Sequence, residues 1–587
     1  MRRNEDVALL FDHIAELLTL KNENPFRIRA YQIAAQKIRA LSDDIEEIAR
    51  QGRLDAIPGV GKALAAKIQE YLETGRLQYY EKLKQEVPIT AADLLEVPGI
   101  GPARAHVLYQ SLGITTIAEL LEAAREHKLR DLPGFGPKVE ERIAREAGRL
   151  VQRTRRLLLG VALPHAEEVI SLLQPHPAVE AIAPAGSLRR MKETIGDIDI
   201  LVASRQPDVI VEAFANLSVV KEVLATGSTR SSILTRDGLQ VDLRIVAPDE
   251  WGSALLYFTG SKEHNIALRG LAQDQGWKLS EYGLFDREGR RLAGRTEEEI
   301  YHALGLDWIP PELREDRGEL EAARERRLPQ LVELDEIRAD LHVHSDWSDG
   351  HDSPQRIVEA AVTRGYEYIA FADHSQSLTV ARGLSPQQVR EQHRLIAHLN
   401  ERYAPFRILH GAEVNILPDG TLDYPDEILE LFDLVIVSVH SALDLPRDRM
   451  TARLLRAIRH PAADILGHPT GRLLPNRPPY DVDLEQILRA AADYRVAVEI
   501  NGQPDRLDLD DVWSRRAIEL GALVSTNSDA HAVRQLEHMR YAIATARRGW
   551  VEARHVVNTW PLGTMLEWLE RRLPARRYRR SSQGIRN

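Results

Sequence analysis

The sequence predicts a multidomain protein with an all-α N-terminal region, an α+β middle region and a C-terminal distorted β/α barrel. Three observations lead to this prediction. A short turn motif repeats three times before residue 160, among segments with helical periodicity. Strand-like runs with helices between them follow at residues 181–187, 197–202 and 240–246. From Ile337 onward, apolar strands alternate with amphipathic helices, and this rhythm is typical of parallel β/α units.

The composition excludes several classes of protein. A chain of 587 residues is too long for one hydrophobic core. The absence of cysteine excludes disulfides, thiolate nucleophiles and cysteine-ligated metals, so any metal must be held by His, Asp or Glu. No apolar run reaches about 18 residues, and we therefore expect a cytoplasmic protein without a membrane span. The net charge of −11 argues against bulk attraction to nucleic acid but leaves a clustered phosphate site open.

The repeated motif consists of an apolar residue, Pro-Gly, a second apolar residue and Gly. It predicts a tight turn that opens a helix, where exposed backbone N–H groups bind a phosphate oxygen whatever the base. Such turns resemble helix-hairpin-helix motifs, which hold DNA non-specifically; the alternative is that each is simply a turn between helices. The glycines of the three copies are Gly59, Gly61, Gly99, Gly101, Gly134 and Gly136.

A lysine on the helix after the first turn is a candidate nucleophile. The deprotonated amine of Lys67 could form a Schiff base with the aldehyde of an abasic sugar. The alternative is a lysine that faces DNA or solvent.

Three aspartates on two predicted strands form the first candidate catalytic site. Asp197 and Asp199 are separated by one residue, so a strand projects both carboxylates to one face. Asp242, on a neighbouring strand, would add a third, and carboxylates this close repel each other unless a cation bridges them. Three carboxylates around two Mg²⁺ ions suit phosphoryl transfer, with one ion activating the attacking hydroxyl and the other neutralising pyrophosphate. Gly186 and Ser187, with Arg190 nearby, offer donors for a triphosphate.

Residues 1–316 resemble a family X DNA polymerase. The resemblance rests on the turn repeats, the Gly-Ser and Gly-Asp-Ile-Asp segments, and the Tyr-Phe-Thr-Gly-Ser segment that begins at Tyr257. It implies that the three aspartates bind two Mg²⁺ or Mn²⁺ ions, with Asp242 as the base, and that Lys67 is the lyase lysine, with Tyr31 nearby. Lys262, Gln240 and Ala63 depart from the family pattern. The further implied contacts, to phosphates, to the incoming nucleotide or to the minor groove, are Ser187, Arg190, Gly196, Tyr257, Gly260, Asn265 and Arg269.

A second metal centre is predicted in the C-terminal region from nine potential ligands. Most follow apolar strand-like runs, and in a β/α barrel the C-terminal ends of the strands converge on one face. Imidazoles and carboxylates in one pocket destabilise each other without cations, and their number suits two or three ions. The mixed N/O donors suit Mn²⁺, our first choice, or Zn²⁺ or Fe²⁺. The nine are His342, His344, Asp349, His374, Glu413, His440, His468, Asp529 and His531, with the pairs 342/344 and 529/531 each expected to alternate on a strand.

The His-x-His, Asp-His-Ser and Ser-Asp-Ala-His segments resemble the polymerase and histidinol phosphatase (PHP) domain, over about residues 337–570. This resemblance implies a trinuclear site that hydrolyses phosphoesters. Next to a polymerase it implies 3′–5′ exonuclease activity, and 3′-phosphatase and abasic endonuclease activities are compatible with it.

Together these features predict a monomeric DNA repair polymerase that fills short gaps in gapped or nicked DNA with dNTPs and trims 3′ ends. Three alternatives stay open: a template-independent or RNA-directed nucleotidyltransferase, a DNA-targeted PHP nuclease or phosphatase whose palm only docks DNA, and a PHP domain that hydrolyses a small phosphate monoester. The predicted domains are a lyase-like domain (1–80), fingers (81–160), palm (161–250), thumb (251–316), charged linker (317–336), PHP domain (337–570) and basic tail (571–587).

Overall fold

The computed structural model describes residues 2–20, 23–39, 45–74, 77–86, 94, 97, 100–153 and 156–572. The chain divides into two compact units, residues 1–155 and 156–587. In the described part of the chain, no helix is both long enough and apolar enough to cross a bilayer.

The first unit is helical throughout its described residues, as predicted. Each of the three repeated turns leads directly into a helix, α4, α6 or α8, and the apolar residues Leu64 and Ile68 of α4 lie in the core of this unit. The helices are α1 (Arg2–Leu20), α2 (Pro25–Arg39), α3 (Ile45–Arg50), α4 (Lys62–Thr74), α5 (Gln78–Glu86), α6 (Pro102–Leu112), α7 (Ile117–Arg125) and α8 (Pro137–Arg153).

The second unit begins with an α+β fold built on a five-stranded sheet in the order β2-β4-β7-β6-β5, in which β4 and β7 are parallel and the other pairs antiparallel. Apolar residues of β4 and β7, such as Ile198 and Val241, are buried and alternate with the candidate aspartates. The elements are β1 (Leu157–Leu158), α9 (Leu159–Leu173), β2 (Ala181–Pro184), α10 (Gly186–Arg189), β3 (Thr194–Ile195), β4 (Ile198–Ala203), α11 (Pro207–Ala215), β5 (Val220–Thr226), β6 (Arg230–Thr235) and β7 (Gln240–Val246).

A smaller subdomain follows, with a three-stranded antiparallel sheet in the order β10-β9-β8. The charged stretch that we expected to be a linker is packed into the core of this subdomain through α15, because Leu320 and Ala323 are apolar and buried there. The elements are α12 (Trp251–Thr259), α13 (Lys262–Asp274), β8 (Lys278–Ser280), β9 (Gly283–Phe285), β10 (Arg291–Ala293), α14 (Glu297–Ala303) and α15 (Glu319–Arg324).

The C-terminal region is a β/α barrel of seven parallel strands in chain order, which confirms the predicted architecture. A parallel bridge between Val343 and Ala530 brings the first and last strands together. The elements are β11 (Ala339–Val343), α16 (Pro354–Thr363), β12 (Tyr368–Phe371), α17 (Pro386–Tyr403), β13 (Arg407–Asn415), α18 (Asp426–Leu429), β14 (Leu434–Ser438), α19 (Arg447–Ile458), β15 (Ile465–Leu466), α20 (Leu484–Tyr494), β16 (Ala497–Asn501), α21 (Asp511–Glu519), β17 (Val524–Asn527), α22 (Met539–Arg548) and α23 (Leu562–Arg572).

The barrel and the five-stranded sheet share part of their core. Leu507 and Tyr541 of the barrel are buried in the same apolar cluster as residues of α9, β4 and β7. A Cβ at Gly160 in α9 would lie 2.4 Å from Pro504 of the barrel, so the two surfaces approach closely there. The basic tail after Arg572 lies outside the described residues.

Candidate active sites and nucleic-acid interface

The first and third of the repeated turns have the backbone geometry that their glycines predict. Gly59 and Gly134 adopt left-handed conformations, with φ of 85° and 83°, which side chains disfavour. A Cβ at Gly59 would also lie 2.6 Å from Ile33 Cγ2, so glycine is required for the close approach to α2. Gly61, Gly101 and Gly136 immediately precede α4, α6 and α8, and as glycines they place no side chain over the helix N-termini. Gly99 lies outside the described residues.

Lys67 lies against an aromatic and basic patch of the first unit. Its Nζ is 5.0 Å from the centre of the Tyr79 ring, and the guanidinium of Arg27 lies 5.3 Å from the same ring. Tyr31, which is buried, stacks on Tyr79 with ring centres 6.4 Å apart. The amine is therefore held near a second cation on a defined surface instead of extending into solvent.

The three candidate aspartates meet at one end of the parallel strand pair β4/β7. Asp199 and Asp242 are direct neighbours in the register of this pair, and Asp197 immediately precedes β4. All three are partly exposed, whereas Ile198 and Ile200 are buried, as the predicted alternation requires. The two strands thus bring together carboxylates that are far apart in sequence.

The carboxylate of Asp242 is oriented by two polar neighbours. Gln240 Nε2 lies 3.0 Å from each of its oxygens, and Ser232 Oγ donates a hydrogen bond to Oδ1. Groups of three or more His, Asp or Glu residues whose ligand atoms all lie within 4.8 Å of one another occur, among the described residues, in the barrel alone. The carboxylate oxygens of the three palm aspartates are therefore not all within 4.8 Å of one another. Gln240, which departs from the family pattern, therefore positions the third aspartate.

The Gly-Ser segment forms the start of α10 beside the aspartates. Gly186 has φ of 59°, and a Cβ there would lie 3.0 Å from Asp199 Oδ2. Ser187 follows on the same helix, and Gly196 directly precedes Asp197. Gly186 therefore lies beside Asp199, and Gly196 beside Asp197.

The side chain of Arg190 is held by the thumb subdomain. Its Nε donates to Glu315 Oε1 at 3.0 Å, and Nη1 donates to the carbonyl of Thr259. A Cβ at Gly260, which has φ of 70°, would lie 3.1 Å from Arg190 Nη1. The guanidinium is therefore fixed at the junction between the sheet and α12.

Three of the residues expected to contact the nucleotide or the minor groove, Tyr257, Asn265 and Arg269, line one pocket between α12 and α13, whereas Gly260 is outside its lining. Asn265 Nδ2 donates to the carbonyl of Tyr257 at 2.7 Å, and Arg269 Nε donates to the carbonyl of Asn265 at 3.1 Å. Tyr257, Asn265 and Arg269 share this pocket with Leu256, Leu279 and polar Ser253 and Ser280.

The nine predicted ligands of the barrel converge on one cluster. Its carboxylates bridge the imidazoles: Glu413 lies 2.8 Å from His468 Nε2 and 3.3 Å from His440 Nε2. Asp349 lies 3.3 Å from His374 Nε2. Three overlapping groups have ligand atoms within 4.8 Å of one another: His344/Asp349/His374/His531, His342/His344/Asp529 and His374/Glu413/His440.

The donor atoms of this cluster fit metal ions. His342 Nε2 and both ring nitrogens of His344 are buried without a hydrogen-bond partner, a costly arrangement unless a cation accepts their lone pairs. Burial and the neighbouring His531 and His374 lower the pKa of His344 to about 3, so its imidazole is neutral and able to ligate. Burial would raise the pKa of Glu413, but His440, His374 and His342 hold it well below its usual range.

Two buried residues that the sequence analysis missed orient the histidines. Glu499 of β16 lies 2.7 Å from His342 Nδ1 and accepts a hydrogen bond of 2.7 Å from the backbone N–H of His468. Asn415 Oδ1 lies 2.6 Å from His440 Nδ1. Both contacts direct the opposite nitrogen, Nε2, towards the cluster. A charged residue between the apolar Val498 and Ile500 of β16 was the available signal for Glu499.

One expected local structure is wrong. Asp529 and His531 do not alternate on a strand, because β17 ends at Asn527 and Asp529 has φ of 52°. The bend brings Asp529 Oδ1 within 3.1 Å of His344 Nε2, while His531 Nε2 lies 3.4 Å from Asp349. The two side chains consequently serve different groups of the cluster.

A cavity of about 320 Å³ opens onto the metal-ligand cluster. Arg477 and Arg506 are the two cationic side chains among the described residues that line it, and Arg506 Nε lies 3.8 Å from Asp529 Oδ2. Leu378, Val380 and Leu443 form an apolar side of the same cavity. The cavity therefore combines ligand atoms, cations and an apolar wall.

Comparison with protein families matches four parts of the chain. Residues 2–77 match a helix-hairpin-helix domain and residues 91–149 a SAM-like helix-hairpin-helix tandem. Residues 254–315 match the DNA polymerase beta thumb, and residues 340–503 match the PHP domain.

A curated relative covers almost the whole chain. The DNA polymerase/3′-5′ exonuclease PolX of Bacillus subtilis (strain 168) is 37% identical over 570 residues, which span 97% of this chain and 99% of the relative. The chain belongs to the bacterial PolX family. The predicted family X polymerase with a C-terminal PHP domain is thereby confirmed.

Other relatives of this PolX family member match one half or the other. DNA polymerase lambda of Arabidopsis thaliana is 28% identical over 348 residues, covering 52% of this chain and 61% of the relative. A probable phosphatase of Thermoanaerobacter sp. (strain X514) is 29% identical over 243 residues, covering 39% of this chain and 94% of the relative.

Proposed function

We propose that the chain is a DNA repair polymerase that fills short gaps, as in base excision repair, and processes 3′ ends with its PHP domain. The observation that carries this proposal is the presence of two separate clusters of potential metal ligands in the second unit. Asp199 is paired with Asp242 in the sheet, and the nine-ligand cluster lies in the barrel. A polymerase requires an unblocked 3′ hydroxyl. The hydrolytic site in the barrel would therefore produce the primer end that the palm extends.

In the palm, Asp197, Asp199 and Asp242 would hold two Mg²⁺ or Mn²⁺ ions. Bound there, the ions lower the pKa of the attacking 3′ hydroxyl and neutralise the pyrophosphate. Asp242, oriented by Gln240 and Ser232, would accept the proton of that hydroxyl.

The groups around the palm aspartates would bind the triphosphate and the base. Gly186, Ser187, Arg190 and Gly196 would bind the phosphates through N–H, hydroxyl and guanidinium donors. The pocket lined by Tyr257, Asn265 and Arg269 would receive the nucleotide and the minor groove of the nascent pair, beside Gly260.

In the barrel, the nine-residue cluster would hold two or three ions, of Mn²⁺, Zn²⁺ or Fe²⁺, which supply a nucleophilic water at neutral pH and polarise the phosphoester. Arg477 and Arg506 would bind the phosphates on either side of the scissile bond, and Leu378 and Val380 would contact sugar or base. This combination of cations and an apolar wall suits a DNA 3′ end.

The first unit would hold the DNA flanking the gap. The turn glycines Gly59, Gly61, Gly99, Gly101, Gly134 and Gly136 would present backbone N–H groups to phosphates. Lys67, beside Tyr79, would be the lyase nucleophile for an abasic sugar. We keep the domain boundaries given above except for the linker, because α15 (Glu319–Arg324) packs into the core of the thumb subdomain. We expect the chain to act as a monomer in the cytoplasm, where DNA and dNTPs are its substrates.

The test is incorporation on a duplex with a one-nucleotide gap, with each dNTP supplied separately and with Mg²⁺ or Mn²⁺. We expect addition of one nucleotide, only when the dNTP complements the templating base. Addition that ignores the template would support a template-independent transferase instead. Turnover of a free sugar phosphate much faster than of a DNA 3′ end would support a small-molecule phosphatase.

A further inference from the structure

The PHP barrel contacts the residue proposed to bind the triphosphate. Arg548, the last residue of α22, is buried, and its Nη1 donates to the backbone carbonyl of Arg190 at 2.8 Å. The same nitrogen lies 3.0 Å from Glu315 Oε1, and Nη2 donates to Asp511 Oδ2 at 2.6 Å. One barrel side chain therefore reaches the palm, the thumb and α21 at once.

Glu315 joins the two arginines. Its Oε1 accepts a hydrogen bond from Arg190 Nε and another from Arg548 Nη1, both at 3.0 Å. Lys192 Nζ lies 3.7 Å from Oε2. Burial would raise the pKa of Glu315, but Arg548, Arg190 and Lys192 outweigh it and lower the pKa, so the carboxylate stays charged between its cations.

The loss of Arg548 would change the position of Arg190 in two ways. The carbonyl of Arg190 would lose its donor, which leaves the turn after α10 less constrained. Glu315 would lose Arg548, its most buried partner, and of the three cations named above it would keep Arg190 and Lys192. Both changes draw the Arg190 guanidinium away from its place beside Thr259 and Gly260.

We propose that Arg548 is a positioning residue of the polymerase site, through which the PHP barrel sets the affinity of the palm for the incoming dNTP. The proposal rests on the phosphate-binding role proposed above for Arg190. It assigns to the barrel a second function that does not use its metal-ligand cluster.

One other ion pair between barrel and palm, that of Arg540, lies away from the Arg190 turn and provides a control. Arg540 of α22 pairs with Glu167 of α9, with Nη1 donating to Oε2 at 3.1 Å. Arg472 pairs with Glu193 at 2.7 Å. Arg540 lies on the same helix as Arg548 and crosses the same interface, but its partner belongs to α9 and not to the Arg190 turn.

The experiment measures kcat and KM for the dNTP on a one-nucleotide gap, in the full chain, for Arg548→Met, Glu315→Gln, the double variant and Arg540→Met. We expect Arg548→Met and Glu315→Gln each to raise KM about tenfold with kcat nearly unchanged, since the loss is in binding. The double variant should have a higher KM than either single variant, but its increase should be smaller than the product of the two single increases, because both residues act through one network. Arg540→Met should keep the wild-type KM, and Arg548→Lys should restore part of the loss.

An equal KM for Arg548→Met and Arg540→Met would overturn the inference. So would a double variant whose increase in KM equals the product of the increases in Arg548→Met and Glu315→Gln. Exonuclease activity on single-stranded DNA and the melting temperature report the fold of each variant. If Arg548→Met melts early, Glu315→Gln, which changes no barrel residue, decides by its KM. A wild-type protein that incorporates no nucleotide would instead contradict the proposed function.

Discussion

Asp199 of β4 and Asp242 of β7 lie side by side in the register of two parallel strands. Their proximity comes from the apolar residues that alternate with them, such as Ile200 and Leu243, which are buried on the opposite face. The hydrophobic pattern of two strands thus builds the acidic site.

The glycine beside Asp199 should be indispensable for polymerisation. In Gly186→Ala, the new methyl group would lie 3.0 Å from Asp199 Oδ2 at a residue with φ of 59°, so both the carboxylate and the turn must shift. We expect incorporation to fall about 100-fold, the scale of losing one preorganised polar group at a reacting centre. Gly227→Ala, where the nearest atom would be an ordinary 3.6 Å away, is the matched control and should retain activity. Equal incorporation by Gly186→Ala and Gly227→Ala would contradict this geometry.

Glu499 should control metal binding in the barrel without being a ligand. In Glu499→Gln, an uncharged amide replaces the carboxylate that accepts the hydrogen bond from the His468 N–H and contacts His342 Nδ1. Both contacts, which orient the two histidines, become weaker. Changes of this kind weaken metal affinity about 10- to 100-fold. Mn²⁺ titration followed by metal analysis would measure this affinity, with the partly exposed Glu367→Gln as the control. Unchanged metal content at limiting Mn²⁺ would refute the role of Glu499.

The arginines of the barrel cavity should act on DNA binding. Arg506→Gln should raise KM for a single-stranded oligonucleotide about tenfold and reduce the salt dependence of binding, because one phosphate contact is lost. Arg394→Gln, an exposed change on α17, should alter neither quantity. The prediction fails if Arg506→Gln lowers kcat at constant KM, since that would place its effect in the chemical step.

Acid should weaken the helical unit through Glu140. Burial would raise the pKa of this carboxylate, but hydrogen bonds from Arg130, His127 and the backbone N–H groups of Arg130 and Leu129 outweigh burial and lower the pKa to about 2. Since an unfolded Glu has a pKa of about 4.3, its contribution is complete above that pH and is lost as the pH falls towards 2.

Glu140→Gln should therefore destabilise this unit by about 2 kcal/mol at pH 7, and the difference from wild type should shrink below pH of about 4.3. Hydrogen exchange of residues 127–136 in the full chain would measure it, with exposed Glu141→Gln as the control. A difference that persists undiminished at the lowest pH would show that the charge of Glu140 is not its source.

The sequence was sufficient to predict the large features because each has a strong periodic signal. The turn glycines, the alternation around Asp197 and Asp199, and the apolar runs before His374 and His440 each follow from local rules. The barrel, though not its number of strands, and the helical unit were predicted for the same reason.

The features that could not be predicted depend on contacts between distant segments. Asn415 is recognisable only once its strand lies beside His440. The charge of Glu499 stands out in its strand, but its partner His342 is known only once the two strands lie side by side. The left-handed turn at Asp529 was overlooked, although Asn527, Ser528 and Asp529 are residue types that favour turns. Burial of α15 likewise depends on apolar partners outside the charged stretch.

The central claim is that two independent metal-binding centres carry out two reactions, and one measurement tests it directly. A duplex with a one-nucleotide gap and a labelled primer is incubated with and without the complementary dNTP, for wild type, Asp197→Ala/Asp199→Ala and His344→Ala. We predict that the palm variant shortens the primer but does not extend it, and that His344→Ala extends it but does not shorten it. Extension by the palm variant, or the joint loss of both activities in either correctly folded variant, would contradict the account.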